Sequence, residues 1–143
     1  MTRAVSILGL GPQGAQAARQ LLQGQPDLDL TVFDRDDQRC EPFRGLATLA
    51  GSAAEALRES SVIVLALEDT RDVDRALKRY SDGAVTLAVQ DKTVVDLCPR
   101  RPTWRLALAQ ALAQAGAVYL PREAADPPAL LRLIDAAPSA PSG

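Results

Sequence analysis

Apolar positions along the chain follow two alternating rhythms, short runs of strand length and longer stretches with a helical period. The first run is Ala4–Leu8. An alanine-rich stretch from about Pro12 to Leu22 then places Ala15, Ala18, Leu21 and Leu22 on one helical face. After the turn GQPD comes a second strand, Leu28–Phe33, ending at Asp34 and followed by a polar loop. The segment GLATLAG supplies a short third strand around Ala47–Leu49. Ser52 and Glu55 have capping-box spacing and open a short helix to about Arg58. Ser61–Leu67, SVIVLAL, is almost continuously apolar and β-branched, as a strand covered on both faces should be.

Thr70 is the expected N-cap of a helix running through Val73, Ala76, Leu77 and Tyr80. A fifth strand spans Thr93–Leu97. The next helix has Pro102 at its start and Gly116 just past its end, the usual asymmetry. Ala117–Leu120 is the sixth strand. The segment DPPALLRLIDAA suits a helix by propensity and a last strand by length, while APSAPSG reads as a frayed, natural end. This alternation predicts a single α/β domain with a mostly parallel, doubly wound sheet over residues 1–136 and a tail over 137–143.

Composition narrows the chemistry. At 143 residues the chain can bury one sizeable core. A formal net charge of −2 provides no general attraction to nucleic acid or anionic membrane. No apolar segment reaches the roughly 20 residues of a membrane span, and no signal-peptide pattern opens the chain. The expected location is therefore the cytoplasm, where the isolated Cys40 and Cys98 would be free thiols. The absence of histidine excludes Ser–His and Cys–His catalytic pairs and the usual zinc sites, so no metal is expected.

The sharpest motif is GLGPQG, with Gly9, Gly11 and Gly14 at GxGxxG spacing between strand and helix. Gly9 would permit the tight turn, Gly11 the approach of a pyrophosphate, and Gly14 close helix–strand packing. The helix N-terminus offers unpaired N–H groups and a positive dipole end to an anion, and Pro12 sits where no helical partner exists anyway. Asp34 follows about twenty residues later at the end of the next strand, where it would accept from ribose hydroxyls and favour NAD. Arg35 and Arg39 keep NADP open because guanidinium groups can pair a 2′-phosphate, although Asp36 and Asp37 would repel it. The domain is thus Rossmann-type, with NAD or NADP as the expected cofactor and the balance toward NAD.

The series GLGPQG, VFDRD, SVIVLALED, VVDLCPRRP and AGAVYL resembles the N-terminal cofactor domain of the β-hydroxyacid dehydrogenases. That superfamily includes 6-phosphogluconate dehydrogenase and the imine reductases. CEPFRGLATLAGSAAEAL and ALEDTRDV are most similar to the imine reductase branch. The resemblance implies that Gly9, Leu10, Gly11, Pro12, Gln13 and Gly14 line the pyrophosphate, Gln13 replacing the family's usual methionine. It implies that Asp34, Arg35 and Arg39 surround the adenosine ribose, that Leu67 and Glu68 face the nicotinamide ribose, and that Cys98 lies beside the nicotinamide. It also makes PPALLRLIDAA a strand near the domain's end.

Departures from the pattern shape the functional expectation. Cys98-Pro99 replaces the family's Ser-Thr, and YLPREAADPP replaces its glycine-containing substrate segment. The family's second, all-helical domain, which carries the proton donor, has no counterpart in the sequence, and neither Lys78 nor Lys92 matches the catalytic lysine. The expectation is a stand-alone NAD(P)-binding domain not redox-competent alone, either a pseudoenzyme or part of a split reductase. An oxidoreductase activity would need a partner chain for the acid. Homodimerisation or a helical partner subunit is expected, since loss of that domain would uncover apolar surface. No catalytic residue is assigned. Cys98 is the one candidate, activated by Arg100 and Arg101, against its plainer reading as a small buried residue. Arg100 and Arg101 themselves read as a solvated loop, and Trp104 as core or apolar rim. The alternative function is non-redox: an isomerase, cyclase or sensor whose acidic ligand lies among Glu68, Glu123, Arg100, Arg101 and Arg122.

Overall fold

The structure, a computed structural model, describes residues 4–79 and 83–121. Six parallel strands form one sheet: β1 (Ala4–Leu8), β2 (Asp29–Phe33), β3 (Thr48–Leu49), β4 (Val62–Leu65), β5 (Thr93–Asp96) and β6 (Val118–Pro121), in the order β3-β2-β1-β4-β5-β6. Five helices accompany them: α1 (Pro12–Gly24), α2 (Asp37–Cys40), α3 (Ala53–Glu59), α4 (Thr70–Ala76) and α5 (Pro102–Gln114). The order is that of a Rossmann-type sheet, whose reversal between β1 and β4 leaves a crevice at the carboxyl ends of the strands.

Both faces of the sheet are covered, which explains the unbroken apolar run of β4. Its Val62 and Val64 join Val5, Ile7, Val32, Ala18 and Leu21 in one core layer. Ile63 and Leu65 join Leu57, Val73, Leu108 and Leu112 in the other. Ser6, fully buried in the central strand, is satisfied by donating to the Ala56 carbonyl at 2.6 Å and by sharing a hydrogen bond with Ser60 at 2.7 Å.

The elements follow the sequence pattern closely, with local corrections. Helix α1 extends to Gly24, and β4 is shorter than Ser61–Leu67, although the Ala66 N–H still bonds the Leu8 carbonyl at 2.8 Å. The expected polar loop after β2 folds as α2 and a 3₁₀ turn, Glu41–Phe43, because Phe43 is driven into the core at 1% exposure. The N-cap of α4 is Asp69, not Thr70; its carboxylate accepts from the Arg71 N–H at 2.9 Å. That helix stops at Ala76 because Lys78 turns left-handed, φ 51°, and Arg79 bridges to Val85. The Ser52 cap forms as expected, its hydroxyl accepting from the Glu55 N–H, while the Glu55 carboxylate reaches one residue past the box partner to accept from the Gly51 N–H; α5 ends before a left-handed Gly116 as expected. Tyr80, DPPALLRLIDAA and APSAPSG lie outside the described residues.

Candidate nucleotide-binding site

The crevice at the reversal point holds a cleft of about 480 Å³. Its floor is the glycine turn, and each glycine there has a separate structural reason. Gly9 has φ +100°, and a Cβ would stand 2.8 Å from the Ala66 carbonyl. A Cβ on Gly14 would stand 1.8 Å from the Gly9 oxygen, so α1 packs on the turn only because that side chain is missing. Gly11 differs from both. Its backbone is ordinary extended chain, φ −64° and ψ −174°, and a Cβ would meet only Arg39 Nη1, at 3.6 Å. Neither folding nor packing demands glycine at that position.

The N-terminus of α1 faces this floor uncapped. Helices α2, α3 and α4 satisfy their first turns with their own Asp36, Ser52 and Asp69 side chains. Helices α1 and α5 have no capping side chain and no acidic residue in the first turn, and of these two α1 is the one that lines the cleft. Its first main-chain bond runs from the Ala15 N–H to the Gly11 carbonyl, so Gln13 and Gly14 have no helical partner for their N–H groups. These donors and the positive dipole end provide what a diphosphate requires.

Asp34, 7% exposed, closes the turn from the β2 side. Its Oδ2 accepts from the Leu10 N–H at 2.8 Å and its Oδ1 from the Asp36 N–H at 2.9 Å. Arg39 stands 3.7 Å from the same carboxylate and hangs over Gly11. Arg35 reaches Asp72 at 3.4 Å, and Arg75 reaches it at 3.5 Å, so three guanidinium groups ring the cleft mouth. Asp72 and Arg75 escaped the sequence reading because they line the cleft from the first and last turns of α4, a helix that only the fold brings to the end of β2. Charge pairs at helix spacing were the available signal.

Of the expected site residues, Gly9, Gly11, Pro12, Gln13, Asp34 and Arg35 line the cleft, as do Arg39, Leu67 and Glu68. Leu10 and Gly14 do not: the Leu10 side chain is buried in the core, and Gly14 serves packing beneath the turn. Cys98 is also outside the lining and 7% exposed. Its thiol donates to Gln13 Oε1 at 3.4 Å, and burial pushes its pKa above the ordinary 9.0 more strongly than Arg100 pulls it down. Of the two readings of Cys98, its burial fits the small buried residue rather than the arginine-activated thiol.

The arginine pair is corrected as well. Arg101 is exposed at the N-cap of α5, whereas the Arg100 side chain is 1% exposed and pairs with the fully buried Asp96 at 2.9 Å. Arg100 also donates to the carbonyls of Leu67 and, at 2.8 Å, Glu68. Trp104 packs, partly buried, against the core layer of Leu108 and Leu112, as its reading as core or apolar rim expects, and its ring also lies 5.3 Å from this guanidinium and 5.9 Å from that of Arg79. Tyr119 donates to Asp96 at 2.7 Å, and burial with that hydrogen bond holds its ionisation well above the ordinary phenol range. Arg100 is therefore unavailable to the acidic-ligand alternative, and Arg122 and Glu123 lie outside the described residues. Among the described residues no cluster of metal-ligating side chains occurs and no helix is long and apolar enough to cross a membrane.

The fold and this glycine floor define an NAD-binding domain of Rossmann type. More particularly, residues 4–121 match the NAD binding domain of 6-phosphogluconate dehydrogenase, and the chain belongs to that family. No curated protein matches it significantly in sequence. Among solved structures it is similar to an imine reductase from Pseudomonas sp., with 27% identity and a TM-score of 0.74 over 86% of this chain and 41% of that one. An imine reductase from Aspergillus terreus, in complex with NADPH4 and dibenz[c,e]azepine, gives 26% identity and a TM-score of 0.75 over 90% of this chain and 43% of the other. A reductive aminase from Aspergillus terreus, in complex with NADPH and ethyl-5-oxohexanoate, gives 27% and 0.71 over 83% and 39%. The chain thus spans about two fifths of the length of these relatives.

Proposed function

We propose that this domain holds NAD or NADP through the glycine floor and does not itself supply the proton that a reductase of this family needs. The observation that carries the reading is Gly11, a glycine with ordinary backbone and open space at an uncapped helix N-terminus. Approach of a ligand's phosphate to the main chain is the remaining reason for it. Asp34 borders the ribose position with lone pairs left over from its two N–H donors, and Arg39 beside it offsets its charge. A 2′-phosphate therefore meets Arg35 and Arg39 as well as carboxylates, and both cofactor forms are accommodated.

A bound nicotinamide supplies hydride chemistry, and reduction of a carbonyl or imine also needs an acid within hydrogen-bond reach. Among the described residues Tyr119 is engaged with Asp96, the Cys98 thiol is buried, and Lys92 is bonded to the Ser60 carbonyl at the opposite end of the sheet. Redox chemistry would need the acid from a helical domain or partner chain, so the domain is either a pseudoenzyme or the cofactor-binding part of a split reductase. Calorimetric titration with NADH and NADPH tests the binding claim. Saturable binding of either supports it, and a flat titration at millimolar cofactor removes it.

A further inference from the structure

A Rossmann-type crevice receives one mononucleotide on each side of the reversal point. Among the described residues the open cleft lies on one side. The described lining comes from the β1–α1 turn, the ends of β2 and β4, and α2, α3 and α4, with nothing from β5, α5 or β6. On the other side, the protein's own side chains join the carboxyl ends of the strands. Arg100 ties the exit of β4, through the Leu67 and Glu68 carbonyls, to Asp96 at the end of β5. Tyr119 of β6 binds the same carboxylate. Gln13 spans the crevice from α1, donating to the Leu97 carbonyl at 2.9 Å and accepting from the Cys98 thiol. Opening this side means withdrawing a guanidinium from a carboxylate when neither touches solvent (1% and 0% exposed).

From this we infer that the domain grips the adenosine-diphosphate end of its ligand and leaves the nicotinamide riboside end outside, because Arg100 and Gln13 fill the second half-site. The inference rests on the nucleotide reading above and narrows it: the ligand class is adenosine 5′-diphosphate compounds, with ADP-ribose recognised as fully as the dinucleotide. The half-site that departs from the cofactor is the one built on the Cys98–Arg101 segment, where the sequence leaves the family pattern.

Two measurements on the full chain test it. Calorimetry with ADP-ribose and NADH should give dissociation constants within about threefold of each other. Saturation-transfer NMR on bound NADH should saturate the adenine protons strongly and the nicotinamide protons weakly. ADP-ribose binding more than about tenfold weaker than NADH, or equal saturation of both rings, would overturn the half-site inference and leave the nucleotide reading intact. Failure of both ligands to bind would instead sink the nucleotide reading and this inference with it. The paired variant Asp96→Asn/Arg100→Ala removes both charges together and should raise nicotinamide saturation toward that of adenine. A folded pair, checked by circular dichroism, with unchanged saturation would also refute the closure.

Discussion

Alanine at Gly11 and alanine at Gly14 should separate the ligand's demand for glycine from the fold's. At Gly14 a methyl group would lie 1.8 Å from the Gly9 oxygen and 2.9 Å from its carbonyl carbon, with Ala66 Cβ at 3.0 Å. Two of those atoms are backbone, so no rotamer change relieves the contact. Alanine would gain about 1 kcal/mol in helix propensity. Forcing α1 away from the turn costs about 3 kcal/mol or more, near the upper end of measured overpacking. The net loss of about 2 kcal/mol or more should lower the melting temperature by roughly 10 °C. At Gly11 the same substitution meets a single flexible side-chain atom at 3.6 Å, and the backbone needs no adjustment. The entropic gain of about 0.4–1 kcal/mol from stiffening the unfolded chain roughly cancels the small loss at the N-cap. Stability should therefore stay within about 0.5 kcal/mol of the parent. A methyl group there holds a diphosphate off the main-chain donors, and NADH affinity should fall tenfold or more, about 1.4 kcal/mol. Thermal melts and calorimetric titration of both variants decide the matter. If Gly11→Ala binds NADH as the parent does, no ligand approaches that backbone. If Gly14→Ala melts with the parent, the packing argument is wrong.

Other consequences follow from the buried groups. Arg100→Ala strands the Asp96 carboxylate in a dry site and should cost about 3–5 kcal/mol, whereas Asp96→Asn/Arg100→Ala should cost clearly less; denaturant melts that rank them in reverse would refute the pairing. Burial holds the Cys98 and Cys40 thiols neutral above their ordinary value of 9.0. Their contribution to stability is complete below pH 9.0 and declines as pH rises toward the elevated folded values, because the unfolded thiols lose their protons first. Cys98→Ala should remove part of that alkaline decline, with Cys40 retaining the rest, and Cys98 should resist alkylation at neutral pH; rapid neutral-pH labelling would contradict its burial.

Much of the architecture was legible in the chain because it rests on local rules. Strand-length apolar runs, the capping box at Ser52 and the Pro102–Gly116 bracket are short-range signals. The glycine spacing with Asp34 marked the edge that lines the cleft for the same reason. The errors occurred where the deciding partner was distant in sequence. Phe43 turned a polar loop into helix by reaching the core; the α4 cap is the exception, a local choice between the adjacent Asp69 and Thr70 that Asp69 takes.

The sequence by itself determined the alternation of elements, the parallel sheet they must form, and the glycine turn that opens α1, since each depends on hydrophobic period or backbone freedom within a few residues. Only the tertiary structure decided which polar groups remain available. It buried Arg100 against Asp96 and drew Gln13 across to Leu97 and Cys98, 84 and 85 positions along the chain. A charge written beside another charge reads as solvated surface until the fold removes water from both, and burial of that kind is a property of the whole packed domain.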